Sequence, residues 1–530
     1  MSVADKQRSR TQGLWMGAVA LTAVGLGLVA QGLLAISLTT ASIGVAVVVM
    51  LASFLAPTEP NRLPLRFLPP LVLLPVVLFA FWYFMTMAFG HFGIGPILFH
   101  MEYGTRANGV VGAFLQQWIF ELGSCVLLIA GVWMIAAVDH RFRKFDRVLV
   151  APLLLLNPFT FATLEYVGDA QAASEQLIQR RFVDTAELPA PGGKRPNLIN
   201  VFLESSEATL GEGSGFGDVL APLAPFAARG IELGNLHEAA LTNWTLAGQV
   251  AAHCGTPLMP LGLVSTNSFH VLDRSFLPAA TCLADLLSRD GYRTTFMKAA
   301  PLGFAGTDKF VASHGWQNRL GFPELRPDFP LGGNEWGLDD EDVYAAAERE
   351  IARMDRSGEP WAISVTNIGG HAPRGFVSRS CRGRPTVARL ADPTLRAFRC
   401  THELLAEMLT RLEQGGYLDD TIVVVQSDHL AMRNTIYRQL QNHERRNLFF
   451  AFGPGIEPQV VEREMTMMDV YPTLLDLMGY APAHGRAGVG VSAFAEGQTL
   501  VEEHGLDGLD RAIYADTELR NRLWAIGPDV

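Results

Sequence analysis

The chain has 530 residues, 42 Lys and Arg against 53 Asp and Glu for a net charge of -11, and 49% hydrophobic residues. That length is too great for one core, so two or more domains are expected. The acidic balance and the lack of a basic, aromatic-interleaved stripe exclude a nucleic-acid binder.

Reading from the N-terminus, five apolar runs reach the roughly 20 residues needed to cross a bilayer. They are Leu14–Leu34, Ser37–Ala56, Phe67–Phe89, Trp118–Val138 and Val148–Tyr166. Lys6, Arg8 and Arg10 precede the first run, Arg62 and Arg66 follow the second, and Arg141, Arg143, Lys144 and Arg147 follow the fourth. The intervening loops hold only Arg106. Alternating basic and base-poor loops put the N-terminus inside and the large C-terminal part outside the cytoplasm. The first run is too long, and too closely followed by the second, for a cleaved signal peptide. Residues 1–166 are therefore expected to form a five-helix transmembrane domain.

Asp169–Phe182 patterns as an amphipathic helix, either lying on the membrane surface or simply connecting, and Leu188–Pro196 is a linker by composition. Beyond it, candidate strands are Asn197–Leu203, Tyr292–Met297, Trp361–Thr366, Thr421–Val425 and Leu448–Phe452. Candidate helices are Val219–Ala228, Thr245–His253, Leu283–Asp290, Glu341–Met354, Leu395–Glu413 and Met467–Leu477. This alternation predicts an α/β sandwich with a largely parallel central sheet over 197–490, leaving 491–530 as a C-terminal extension. Cys125 lies in the fourth run; Cys254, Cys282, Cys381 and Cys400 all lie in the exported part. Closeness in sequence favours the pairs Cys254–Cys282 and Cys381–Cys400 in an oxidising compartment.

Ligands of such sheets gather at the carboxyl ends of strands. Glu204 follows the first candidate strand, and Asp428-His429 follows the run from Thr421 to Val425. Two carboxylates and an imidazole suit a divalent metal. Thr245 opens a helix, where free backbone N–H groups face an anion. A threonine hydroxyl becomes a nucleophile only beside a base or a metal. On local grounds alone an N-capping role for Thr245 is favoured, and Thr242 competes as nucleophile. His371 follows a strand and fits phosphate binding or general acid chemistry, or neither. Glu335 and Trp336 fit a sugar contact, or merely a helix cap.

Several segments carry a family likeness. They include Asn243–Leu258, Phe304–Asp308, Ser313–Gly315, Glu335–Leu338, His371–Cys381, Ser427–Met432 and Arg446–Phe450. In this order they resemble the membrane-anchored lipid phosphotransferases of the alkaline phosphatase/sulfatase superfamily, in particular the bacterial phosphoglycerol transferases that decorate periplasmic glucans. The resemblance implies Thr245 as nucleophile, Glu204, Thr245, Asp428 and His429 as ligands of one divalent metal, and His371 near the transferred phosphate. It implies Mn2+ first, with Zn2+ or Mg2+ as alternatives. Phe304, Asp308, Glu335, Trp336 and His100 are the implied substrate contacts, His100 in an outer-loop segment, Phe99–Gly104. Lipoteichoic acid synthases carry an Arg near the position of Thr307, which this chain lacks.

The implied reaction moves sn-glycerol 1-phosphate from phosphatidylglycerol to a periplasmic (osmoregulated) glucan through a phosphothreonine. The implied setting is a bacterial inner membrane with the catalytic domain in the periplasm. Phosphoethanolamine transfer, glycerol-phosphate polymerisation and an inactive glycan-binding protein are the alternatives. Residues 245–249, Thr-Leu-Ala-Gly-Gln, lack the arginine of formylglycine-dependent sulfatases, which argues against sulfate-ester hydrolysis.

Overall fold

Apolar runs unbroken by charge form helices near the N-terminus, and the β-rich runs beyond residue 196 form one sheet. The computed structural model describes residues 3–34, 38–53, 70–89, 119–161, 164, 178–193, 195–211, 214–259 and 275–525. These form two units, one drawn from Met1–Ile97 and Val111–Gly168, the other from Asp169–Val530. His100, Arg62, Arg66 and Arg106 fall outside the described residues, as does 169–177 of the expected amphipathic helix.

In the first unit α1 spans Val3–Leu34, α2 Leu38–Ser53, α3 Leu73–Phe89, α4 Ile119–Val138 and α5 His140–Leu155. Among the described residues two stretches, Thr11–Ala30 and Ile119–Val138, are long and apolar enough to cross a membrane. The fifth expected span, Val148–Tyr166, does not match one helix. The helix starts at His140, within the basic segment, and ends at Leu155. Asn157 interrupts it: its Oδ1 accepts from Phe159 N at 3.0 Å and its Nδ2 donates to the Pro75 carbonyl at 2.7 Å. A side chain that competes for backbone partners in this way favours a helix break.

In the second unit eight strands form one sheet: β1 Asn197–Leu203, β2 Ile231–His237, β3 Arg293–Lys298, β4 Asn318–Leu320, β5 Trp361–Thr366, β6 Thr421–Ser427, β7 Phe449–Phe452 and β8 Gln459–Thr466. The order is β4-β3-β5-β1-β6-β7-β2-β8. Only β7 runs against its neighbours β6 and β2, so the expected largely parallel sheet is present. Alternate residues of β1 serve opposite faces. Leu198 and Phe202 join one core, and Ile199, Val201 and Leu203 the other. A strand buried on both faces is mostly apolar, and Asn200 is the buried polar exception in β1.

Helix α6 (Thr245–Cys254), α7 (Leu283–Arg289) and α11 (Met467–Leu477) cover the first face. Helices α9 (Asp340–Asp355) and α10 (Pro393–Gln414) cover the second. Between α7 and α9, α8 spans Thr307–Ser313.

Three boundaries differ from the sequence expectation. Val219–Ala228 is mostly turns, with one short helical segment at Ala224–Ala227, because Pro222 and Pro225 remove backbone donors. The segment ahead of the linker is docked: Ile178 and Phe182, at the end of the expected amphipathic helix, join the first core and Val183 pairs with Gly488. The expected C-terminal extension continues the same unit. Helix α12 (Leu500–Ala515) buries Leu509, Ala512 and Ile513 in that core, and Trp524 Nε1 donates to the Met259 carbonyl at 2.8 Å. Cys254–Cys282 and Cys381–Cys400 are both disulfides. The first ties the end of α6 to the start of α7.

Candidate active site at the carboxyl edge of the sheet

Strands β1, β5 and β6 run parallel, with Phe202 level with Thr366 on one side and Gln426 on the other. The residues just beyond them therefore emerge together. Glu204 sits in a turn after β1 whose next residue, Ser205, has a φ of 58°, an uncommon conformation for a non-glycine residue. That conformation lets the Ser205 N–H donate to Asp428 Oδ1 at 2.9 Å, while Ser205 Oγ donates to Glu204 Oε1 at 2.8 Å. Asp428 Oδ1 also accepts from His429 N at 2.9 Å. Glu204, Asp428 and His429 are all buried, and one ligand atom from each lies within 4.8 Å of the other two.

Helix α6 brings Thr245 to this cluster. Trp244 has the extended conformation of the N-cap, so Thr245 is the first helical residue and not the cap. Its hydroxyl is left to donate to Glu204 Oε2 at 3.3 Å. Thr242, the competing nucleophile, donates to the Ala239 carbonyl at 2.7 Å and is fully buried. Gly248 permits this docking, because a Cβ there would overlap the Asp428 carbonyl oxygen. One turn after Thr245, Gln249 Nε2 donates to Thr366 Oγ1 at 2.8 Å, tying the helix to the sheet.

The residues present fit a divalent cation. Asp428 Oδ2 is buried with no hydrogen-bond donor, an arrangement that a native site seldom leaves uncompensated. His429 Nδ1 lies 2.8 Å from the Leu430 carbonyl, which places the proton on Nδ1 and the lone pair on Nε2 of the neutral ring. His429 Nε2 is 3.5 Å from both Glu204 Oε1 and Asp428 Oδ2. Burial disfavours a charged His429, but Asp428 and Glu204 outweigh it and raise its pKa to about 10. Burial and the charge of Glu204 raise Asp428 to about 7. Burial also pushes Glu204 up, yet the charges of His371 and His429 hold it well below the carboxylate range. Beyond the ligands, Glu238 accepts from Leu430 N, and Glu207 accepts from Ala431 N and pairs with Arg445. These contacts fix the loop that carries His429.

The expected substrate residues divide. His371 packs on Trp336 with ring centroids 4.1 Å apart, and Trp336 meets Phe304 edge-on at 5.5 Å. His371 Nδ1 lies 2.8 Å from the Ala372 carbonyl, leaving Nε2 as the free nitrogen of the neutral ring. Burial lowers its pKa, opposed by the charge of Glu204. Asp308, in the first turn of α8, has a buried Oδ1 without a hydrogen-bond partner. Glu335 is exposed and has no hydrogen-bond or ion-pair partner among the described residues. It neither joins the aromatic wall nor caps α9, whose N-cap is Asp339.

Lys298 escaped the sequence reading. It ends β3, level with Thr366 of β5, and is only 3% exposed. Its Nζ donates to Thr307 Oγ1 at 3.2 Å and lies 5.9 Å from the Phe304 ring centroid. Burial lowers its pKa to about 8, against the opposing pull of Glu204 and Asp428. The available signal was a lysine directly after an apolar strand, on the edge where ligands collect.

The sequence model of the Sulfatase family matches residues 197–480, more than half of the chain. The chain belongs to the sulfatase family. It is also similar to phosphoglycerol transferase I of Citrobacter koseri, 30% identical over 415 residues that make up 75% of this chain and 53% of that protein. The Escherichia coli CFT073 protein of the same name is 29% identical over 414 residues, again 75% and 53%. The chain thus spans about half the length of the curated relatives it matches. Among solved structures, the lipoteichoic acid synthase LtaP from Listeria monocytogenes aligns over 66% of this chain and 98% of its own, with 16% identity and a TM-score of 0.48.

Proposed function

We propose that this protein transfers sn-glycerol 1-phosphate from phosphatidylglycerol to a hydroxyl of a periplasmic glucan, through a phosphothreonine at Thr245. The supporting observation is the Thr245 hydroxyl, hydrogen-bonded to Glu204 beside the Glu204, Asp428 and His429 cluster. The names of the similar proteins favour this cargo.

Glu204, Asp428, His429 Nε2 and the Thr245 hydroxyl would hold the metal, Mn2+ by preference and Zn2+ or Mg2+ otherwise. When bound, such a cation lowers the hydroxyl pKa and offsets charge on the phosphoryl oxygens. The remaining work falls to the chain. Glu204 accepts a hydrogen bond from the Thr245 hydroxyl and aims Oγ toward phosphorus. Free N–H groups in the first turn of α6 and the ammonium of Lys298 receive the phosphoryl oxygens. As the Thr245 Oγ–P bond forms, the P–O bond to diacylglycerol breaks, and neutral His371 takes the Thr245 proton on Nε2 and passes it to the departing alkoxide. A glucan hydroxyl then gives its proton to His371 and attacks phosphorus, the Oγ–P bond breaks, and His371 returns the proton to the Thr245 oxygen. Trp336 and Phe304 wall the site, and the unpaired Asp308 Oδ1 is available to a glycerol hydroxyl. An N-terminal transmembrane domain with the catalytic unit on the periplasmic side brings these groups to a lipid donor.

Intact-mass spectrometry of the full chain after incubation with Mn2+ and phosphatidylglycerol tests the donor. The expected result is one glycerophosphate added at Thr245. A phosphoethanolamine adduct from mixed lipids, or no adduct with either, overturns this reading.

The metal centre is tested separately. Divalent cation is expected to stabilise metal-stripped protein by about 2.7 kcal/mol at a hundredfold excess over Kd, read as a raised unfolding midpoint, and Glu204→Gln is expected to lose that shift. No shift with Mn2+, Zn2+ or Mg2+ would count against a metal site.

A further inference from the structure

Asp340 is 1% exposed, yet it belongs neither to the metal cluster nor to the aromatic wall. It opens α9 and faces the turn that follows β5. Its Oδ1 accepts from Ile368 N at 3.0 Å and Gly369 N at 2.9 Å. Its Oδ2 accepts from Asn367 Nδ2 at 2.9 Å and Thr401 Oγ1 at 2.5 Å. Four donors on one buried carboxylate are enough to satisfy it, and they draw on both α9's neighbour α10, through Thr401, and the turn. Burial still raises its pKa, with those hydrogen bonds opposing.

The turn it holds reaches the reacting groups in two directions. Asn367 Oδ1 accepts from Glu204 N at 2.7 Å, so the amide oriented by Asp340 orients the backbone of a metal ligand. His371 N donates to the Ile368 carbonyl at 3.0 Å, so His371 rides on the same turn. No side chain fits between these layers. A Cβ on Gly369 would overlap Asp340 Oδ2 and Thr401 Oγ1, and a Cβ on Gly370 would overlap the Glu204 carbonyl oxygen.

We infer that Asp340 is a positioning residue that, through Asn367, sets Glu204 for metal binding and, through the 368–371 turn, sets His371 for proton transfer. Asparagine in its place keeps one acceptor for Ile368 and Gly369 but turns an amide N–H2 toward Asn367 Nδ2 and Thr401. The Asn367 side chain then loses its anchor, and Glu204 its fixed direction. Outer-shell partners of metal ligands are typically worth about 10- to 100-fold in metal affinity.

The inference rests on the metal-site and threonine-transfer reading above, and its test separates the two. Mn2+ affinity of the metal-stripped full chain is measured by equilibrium dialysis for Asp340→Asn, Asn367→Ala and the double variant, with thermal midpoints recorded alongside. Each single change is expected to weaken Mn2+ binding about 10- to 100-fold, and the double no more than the worse single, since the two act in series. Thr401→Val, which removes one of the four donors, should act in the same direction by a few fold and serves if Asp340→Asn fails to fold. Wild-type affinity in the folded variants, or single effects that multiply in the double, overturns the inference. At saturating Mn2+ the rate of adduct formation on Thr245 should stay below wild type in Asp340→Asn, because His371 is displaced too. Full recovery overturns the His371 half. A normal pattern in the dialysis with no adduct from phosphatidylglycerol refutes the donor assignment alone.

Discussion

Thr245→Ala is expected to lower glycerophosphate transfer by at least about ten-thousandfold, the scale seen when a catalytic nucleophile is removed. The folded state should survive, because Thr245 is only half-buried and its hydroxyl caps nothing. Thr245→Ser keeps the hydroxyl and should retain part of the activity and the mass adduct. Thr242→Ala is the control. Its hydroxyl is committed to the Ala239 carbonyl, so its loss should cost about 1 kcal/mol of stability and leave transfer within a few fold. Transfer by Thr245→Ala at the wild-type rate in membranes, read as glycerophosphate on glucan, would remove Thr245 from the mechanism.

Lys298→Met should reduce kcat/KM for the lipid donor about 100-fold, as expected for losing one preorganised donor to a phosphoryl group. Lys298 is buried, and its only hydrogen bond among the described residues goes to Thr307. Two of its three donors are therefore open to an anion. Because burial lowers its pKa to about 8, the cation is present below that pH and lost above it. Donor kcat/KM should fall as pH rises past about 8, and Lys298→Arg should shift that fall to higher pH. The resemblance to the synthases places an Arg near 307. Adding Thr307→Arg to Lys298→Met returns a cation to nearly the same spot and should recover part of the loss. Unchanged kinetics in Lys298→Met, or no recovery in the double variant, would show that the phosphate is held elsewhere.

Much of the scaffold was legible in the sequence. Strands β1 and β5 have the bounds read from their runs, since a strand buried on both faces is a mostly apolar, β-branched-rich run. Strands β2 and β8 were missed because Gly234 and the charged residues of Gln459–Thr466 break that signal. β8 is an edge strand with one side in water, where charge is tolerated. The first strand after α6 was cut at Met297 because a lysine reads as its end; only the fold explains an ammonium buried at the end of β3.

The chemistry divided along the same line. Sequence by itself determined the residue types at strand ends, the membrane-length apolar runs and the family, and it favoured the two disulfide pairings that the structure holds. Local residue patterns left a capping Thr245 and a nucleophilic one open, and Thr242 beside Thr245; only the family likeness pointed to Thr245. Those choices depend on contacts between segments far apart in the chain. The parallel register of β1 and β6 puts Glu204 beside Asp428, and Gly248 lets α6 close over both. The same physics left Glu335 exposed without a partner among the described residues and brought Lys298 and Asp340 toward the site. A local pattern fixes which face a residue lies on; only packing in three dimensions fixes which charges it must answer to, and that set of neighbours turns the hydroxyl at the start of α6 into a candidate nucleophile.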